Sequence, residues 1–447
     1  MSAGSATRED LNVSYATSAG GARSILKITC LDYDRHPMDH ERVPYLTPSD
    51  GCLTLIYKRH NDAPGLGAML RDALTMRIRR RREGGVDLIC VDPPLNFRGG
   101  IRFNAESGIA RRDMASRVRL ALIRLLSPLA AIRDLFTVPA MLYAALLSGS
   151  GRWDACIGVG PWGALTGLAL RRLGRVRVLA YRDQDFEPGL LPEGFRRGYT
   201  AWAERFTLRR ADLVISTAAL LVERRRSETQ CPIHLVPNGV DWGKFAGARA
   251  RPAPDPTLVY VGILVPWSGV ENAIEAMVTI RRSLPRARLL IAGGGLPAYE
   301  QRLRQRIETL DLEDAVELLG PLPAEDVPAL LARARVSLAN SEPVPFRVYA
   351  CPLKVMESMA AGLPIIVTTG TEAQRIVERH ECGLAVPYAV QPLAEALLAL
   401  LGNKTLHARM RFNGIRASED LDWGRQVARE MALISRRLEQ CSGPIAN

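Results

Sequence analysis

Short apolar runs rich in Val and Ile recur along the chain, each parted from the next by a helix-length segment, and this rhythm sets the fold class. In the first half they are "SILKITCL" (24–31), "VDLICVD" (86–92), "DACIGVG" (154–160), "VRVLAYR" (176–182) and "DLVIST" (212–217). In the second they are "TLVYVGIL" (257–264), "ARLLIAGG" (287–294), "AVELLG" (315–320), "VSLANS" (336–341) and "PIIVTT" (364–369). Runs that are apolar on both faces belong to strands covered on both sides, and parallel strands joined by right-handed helical crossovers meet that requirement. The spacing therefore predicts an α/β chain of two open, Rossmann-like parallel-sheet domains. At 447 residues the length suits two or three domains.

The stretch "WGKFAGARARPAPDPT" (242–257) is rich in Pro, Ala and Arg and lacks periodicity, so it reads as the interdomain linker. The expected organisation is a disordered, leaderless tail (1–24), a first domain (25–241), the linker, a second domain (258–421), and a C-terminal helix and tail (422–447). That last helix comes after the second domain has used its strands, and could pack back onto the first.

Charge is unevenly placed. Residues 1–240 hold 35 Lys and Arg against 24 Asp and Glu, whereas residues 241–447 hold 24 against 23. An anionic partner would meet the first half. Nucleic acid is disfavoured, because no zinc finger, recognition-motif aromatics or helix-turn-helix accompanies the charge. Peripheral contact with an anionic membrane is the alternative, drawing on "RIRRRREGG" (77–85), read here as the end of a helix, and on the arginines of 111–134. The longest apolar stretch, Leu135 to Leu147, is too short to span a bilayer. The eight cysteines are scattered with no Cys-x-x-Cys pair, which argues against zinc and a disulfide framework and for a reducing, cytoplasmic setting.

Ligands of open parallel sheets sit beyond the carboxyl ends of the strands, so the cleft between two such sheets is the expected site. The loops there carry the chemistry. Gly262 follows one strand, and Gly294 and Gly295 follow another in "IAGGGLP" (291–297), where bare backbone would let a ligand approach. Asn238 lies in the Pro-Asn-Gly turn between the domains.

The most specific stretch is "VYACPLKVMESMAAGLPIIV" (348–367). Pro352 suits a first helical turn, and Gly362 with Pro364 suits the helix end. Lys354 beside the positive end of that helix would hold an anion such as a diphosphate. Glu357, on the same face, is suited to accept two vicinal hydroxyls of a ribose. The same two residues would also serve as an ordinary surface pair worth ~0.2–0.5 kcal/mol.

Together these features resemble the nucleotide-sugar-dependent glycosyltransferases of the GT-B fold, specifically the large retaining group numbered family four. The Pro-Asn-Gly-Val-Asp hinge, the Tyr-Val-Gly strand, the Ala-Gly-Gly-Gly strand end, "CPLK", "MAAGLPIIVT" and "CGLAV" (382–386) stand in the family's order. The resemblance implies a donor held by the second domain, an acceptor held by the first, and transfer in the cleft without metal or bound cofactor. Glu357 matches the second glutamate of the family's paired-Glu motif, and Tyr349 replaces the first, which puts it toward the donor sugar. Ile263 and Ser268 stand where many members have Arg and Lys facing the diphosphate. Lys354, with Arg347 second, is then expected to neutralise it.

In the first domain "DYDRHPMDHE" (32–41) and "YRDQDFEPG" (181–189) follow strands. They offer His36, His40, Asp183 and Asp185, of which Asp183 and His36 are the expected catalytic residues. The expected function is transfer of a sugar to a hydroxyl of a glycan or lipid-linked acceptor. A sugar-nucleotide epimerase of similar build, and a non-catalytic partner that keeps the fold, are the competing readings.

Overall fold

The computed structural model describes residues 24–29, 42, 45–46, 52–58, 76–83, 85–92, 136–149, 151–191, 193–250, 253 and 255–441. His36, His40 and the arginines of 111–134 lie outside the described residues.

The first sheet is built from β1 (Ser24–Thr29), β2 (Cys52–Lys58), β3 (Arg77–Glu83), β4 (Val86–Asp92), β5 (Trp153–Val159), β6 (Val176–Asp183), β7 (Leu213–Ser216) and β8 (Ile233–Leu235). Its spatial order is β3-β4-β2-β1-β5-β6-β7-β8. Helix α1 (136–147) precedes β5, and α2 (Gly160–Arg172), α3 (Phe195–Leu208) and α4 (Ala219–Arg225) follow β5, β6 and β7 in turn. The second sheet holds β9 (Thr257–Val261), β10 (Arg288–Ala292), β11 (Val316–Gly320), β12 (Val336–Ala339), β13 (Ile365–Thr368) and β14 (Gly383–Val386). Its order is β11-β10-β9-β12-β13-β14, with every pair parallel. Around it lie α5 (Val270–Ser283), α6 (Pro297–Thr309), α7 (Pro345–Val348), α8 (Leu353–Ala361), α9 (Glu372–Arg379), α10 (Val390–Gly402), α11 (Lys404–Asp420) and α12 (Trp423–Gln440). Two open parallel sheets facing across a cleft are thus the architecture that the apolar rhythm predicts.

Three local expectations are corrected. Arg77–Glu83 is a strand, antiparallel to β4, and not the end of a helix. Ile78 is its one partly buried apolar residue, packed on the core beneath. Arg80 forks onto Asp87 of β4 through Nε–Oδ1 and Nη2–Oδ2 contacts of 2.7 and 2.6 Å. Cross-strand pairing and an edge position, where long cationic side chains guard an unpaired ladder, outweigh the helix preference of arginine. Pro352 caps α8 from outside instead of opening its first turn. The 242–257 segment is not a bare spacer, because Phe245 and Ala248, in a short helical stretch, are buried in the second domain's core.

The first sheet's two faces are covered differently. On one, Leu26, Ile28, Ile56 and Ile89 pack against Ala140, Met141, Ala144 and Ala145 of α1 and Leu168 and Leu170 of α2. On the other, Ile25, Leu55, Leu88 and Ile157 pack against Val427, Ile434 and Leu438 of α12. The last helix therefore crosses back onto the first domain. It also carries a buried charge there: Glu430 accepts from Arg182 Nη1 at 3.1 Å and pairs with Arg42.

The two chain crossings run side by side. Val240 bridges to Asp422, and Trp423, fully buried, stacks beneath Gly239, where an added Cβ would stand 2.7 Å from the indole. Replacing so large a buried ring leaves a cavity at the hinge. Trp423→Ala is expected to lower the unfolding free energy by about 3–5 kcal/mol. Denaturant titration checks this, and a loss below about 1 kcal/mol would show that the hinge does not rest on this ring.

Candidate active site in the interdomain cleft

The loops after β9 and β10 and the start of α8 meet at the carboxyl ends of the second sheet's strands. The loops after β9 and β10 are laced together: Gly262 N–H donates to Ala292 O at 3.0 Å and Leu264 N–H to Gly294 O at 3.1 Å. This closeness requires glycine. A Cβ on Gly293 would stand 1.8 Å from Gly262 O, and one on Gly262 (φ 146°) would stand 2.6 Å from Lys354 Nζ. Gly294 and Gly295 belong to the same lacing, and Gly295 N–H donates to Glu300 at 2.7 Å.

Lys354 enters this space from the first turn of α8, a turn that no side chain caps. Its stem is half-buried, while Nζ is fully buried with no hydrogen-bond partner among the described residues. The ammonium lies 4.0 Å from the centroid of the Tyr260 ring. Burial first, and Arg347 second, lower its pKa from 10.5 to about 7, against the pull of Glu357. An ammonium held this way favours the neutral amine in the free protein, so its contribution makes the native state more stable as pH rises from about 7 toward 10.5. Arg347 also has a buried Nε that makes no hydrogen bond among the described residues. Ile263 is exposed, whereas Ser268 is buried and accepts from Val270 N–H at 3.4 Å, so neither supplies charge.

The first domain contributes the β6 end and the loop after it. Asp183, expected as a base, is sealed in: Arg225 donates to both its oxygens at 3.0 Å and Ser216 Oγ donates at 2.8 Å. A carboxylate so engaged anchors the loop. Arg225 also meets Glu204 and Glu228. Asp185, two residues on, is the more available group. Burial pushes its carboxyl up to about 6, against the pull of Arg347 from the facing domain.

Tyr349 bridges the domains. Its ring lies 5.3 Å, edge-on, from Phe186, and Arg224 Nη1 donates to its hydroxyl at 3.4 Å. Asn238 donates to Cys351 O at 2.8 Å, fixing the hinge to the loop before α8. A residue that the sequence reading missed holds the facing helices together: Glu372, at the start of α9, accepts from Ala219 N–H and Leu220 N–H of α4 at 2.8 and 2.9 Å. Arg375 pairs with Glu223 beside it. The Thr-Glu start of α9 was a legible helix beginning, but nothing in it announces a cap on another domain's helix. Among the described residues no cluster of His, Cys, Asp and Glu is placed to hold a metal.

Known proteins agree with this geometry. A family model described as "Glycosyl transferase 4-like domain" matches residues 60–239, and "Glycosyl transferases group 1" matches 244–417. Sucrose-phosphate synthase from Thermosynechococcus elongatus superposes with a TM-score of 0.69 at 19% identity, covering 94% of this chain and all (100%) of that one. Anabaena HepE, solved with UDP, gives 0.64 at 16%, covering 93% and 100%. At such identities the likeness establishes the fold alone. A curated relative, the GDP-mannose-dependent alpha-(1-6)-phosphatidylinositol monomannoside mannosyltransferase of Mycobacterium tuberculosis (strain ATCC 25618 / H37Rv), is 30% identical over 186 residues, 38% of this chain and 46% of the relative. The chain spans about half the length of the curated relatives it matches. The class is that of the GT-B fold chains. Within it, the first half matches the glycosyl transferase 4-like model and the second half the group 1 model.

An orphaned ammonium is a stability cost of about 1–3 kcal/mol, reduced here by the ring beneath it. Lys354→Met, of similar length and apolar, is expected to stabilise the fold by roughly 1 kcal/mol at neutral pH. Chemical denaturation measures it, and a variant less stable than the parent would show that Nζ has a stabilising role in the free protein.

Proposed function

We propose that the chain transfers a sugar from a nucleotide-sugar donor to a hydroxyl of a glycan or lipid-linked acceptor, without a metal, in the cleft between the sheets. Retention of the anomeric configuration is the expectation that the family-four resemblance carries. One observation supports the reading above the others: a fully buried ammonium without a hydrogen-bond partner, at an uncapped helix start, against a glycine loop. Such a group is costly unless an anion completes it, and a diphosphate is the anion of the right charge.

In this reading Lys354 and the first turn of α8 stabilise the diphosphate as it leaves, Glu357 holds the ribose, and Arg347 adds charge at the sugar side. Tyr349, packed on Phe186, shapes the sugar end through its bridge to the first domain. Gly262, Gly294 and Gly295 keep the donor loop bare, and Asn238 keeps the hinge in register with α8. On the acceptor side Asp185 takes the role first given to Asp183, because an elevated carboxyl can exchange a proton near neutral pH. The mannosyltransferase relative, whose name includes a phosphatidylinositol mannoside, favours a lipid-linked acceptor.

Lys354→Ala and Glu357→Ala should each weaken nucleotide-diphosphate binding ~10- to 150-fold, the cost of a charge-assisted hydrogen bond. Lys354→Ala should also slow transfer, because charge on the leaving group grows in the transition state. Calorimetry across UDP, GDP and ADP, with single-turnover rates, separates the two effects. Wild-type affinity in both variants would remove the site assignment. Transfer should persist in chelator, and rescue by manganese alone would recast the mechanism.

The lowered lysine gives a second readout. At about pH 8 the free amine is mostly neutral, and an entering diphosphate recharges it. Binding should then take up close to one proton, seen as a dependence of the calorimetric heat on buffer ionisation enthalpy. No such dependence would mean that Lys354 stays away from the phosphates.

A further inference from the structure

Helix α3 covers the first sheet with Thr200, Ala203, Thr207 and Leu208, which are buried. Phe195, Tyr199, Trp202 and Phe206 stand on its other side. At 3.6 residues per turn these four positions fall within about 60° of one another, so they form a single stripe. Successive ring centroids are 6.4, 6.3 and 5.2 Å apart. Phe195 is 65% exposed and Trp202 51%, unusual values for residues of this size on a helix. Arginines flank the stripe. Arg205 and Arg209 are exposed on one side, and Arg210 lies on the other with its guanidinium 3.9 Å above the Phe206 ring.

Helix α1 belongs to the same layer, since its Ala140 and Met141 share a packed cluster with Phe206. Its exposed positions include Phe136, Pro139, Tyr143, Leu146 and Leu147, all apolar. Two helices of one layer that each turn an apolar stripe outward are not the solvated surface of an ordinary domain. No helix among the described residues is long and apolar enough to cross a membrane.

We infer that the outward face of α1 and α3 is a docking surface for an anionic lipid bilayer, its aromatic rings seated among the headgroups and its arginines on lipid phosphates. Charge complementarity selects the occupant: an apolar stripe flanked by Arg205, Arg209 and Arg210 suits an anionic interface, where aromatics and arginine are the preferred residues. The β3 arginines, expected at first to make this contact, are poorer candidates. They alternate over both faces of an edge strand, and Arg80 is taken up by Asp87.

The test uses the full chain and flotation with vesicles of phosphatidylcholine alone or of phosphatidylcholine with phosphatidylglycerol. The chain should float with the anionic vesicles and much less with the neutral ones, with binding that falls as salt rises. The double variant Phe195→Ser/Trp202→Ser should lower partition tenfold or more. Tyr143→Ser, on the other helix, should lower it independently. Arg205→Gln and Arg209→Gln should each cost roughly fivefold at low salt. Nucleotide-diphosphate affinity and thermal unfolding should stay at parental values in all of them, which separates lost docking from lost fold and from failure of the transferase reading. Absence of flotation, or flotation unchanged in the α1 and α3 variants, would overturn the proposal. So would light scattering that shows a dimer broken by the double variant, because the stripe would then be a contact between copies of the chain.

Discussion

A carboxylate from one domain caps a helix of the other, and the geometry of the cleft depends on it. Glu372 is buried and receives both free amides at the start of α4. Each is a charge-assisted bond, so removing the carboxylate would leave two amides and a helix end unsatisfied at once. The cap sets how closely Phe186 and Arg224 of the first domain approach Tyr349 of the second. Opposite it, the hinge is held by an apolar contact, Trp423 beneath Gly239. A cleft closed by directional polar bonds at its mouth and by a ring at its back can open about the ring when those bonds exchange with water. Such an arrangement suits a site that admits a large donor and releases a large product.

The same division explains why charge is concentrated where the fold can least easily hold it. Lys354, Arg347 and Asp185 are partly buried groups whose charged states the free protein satisfies poorly, and burial shifts Lys354 to about 7 and Asp185 to about 6. By contrast Asp183 is satisfied by Arg225 and Ser216, and Glu430 is paired with Arg182 and Arg42. Satisfied groups hold loops and helices in place. Unsatisfied ones store the free energy that a charged ligand releases on binding.

The fold was legible because parallel strands covered on both faces must be apolar throughout, and helical crossovers fix their spacing. What escaped followed from tertiary context. β3 has a composition that favours helix, and only the neighbouring β4 makes it a strand. The close approach of the glycine loops and the place of Lys354 at a helix start were readable, since both leave marks in the sequence. That an arginine holds Asp183 was not readable from the sequence, because Arg225 lies 42 residues away on α4. Tyr349 was recognised as a departure, but its partners, Phe186 and Arg224, belong to the other domain. Contacts made across a cleft leave no periodicity in either strand of text.

The distribution of arginine joins these points. Several of the first domain's arginines are paired with carboxylates: Arg171 with Asp212, Arg182 with Glu430, Arg225 with three carboxylates and Arg80 with Asp87. The net excess therefore rests on the remaining cations, and their position matters more than the count. The first sheet has two faces, and α12 seals one of them. The other bears α1, α2 and α3, whose outer surface combines bare apolar side chains with the exposed Arg205, Arg209 and Arg210. α3 begins just after the loop that carries Asp185 and Phe186, and runs from the cleft toward the opposite edge of the sheet. A surface in contact with that layer would meet the cleft at its rim, on the side that holds the acceptor in the proposed reaction. Docking and acceptor delivery would then share one helix. Its first turn lies beside the site and its aromatic length along the interface, so an acceptor anchored in lipid would reach the donor without leaving the bilayer.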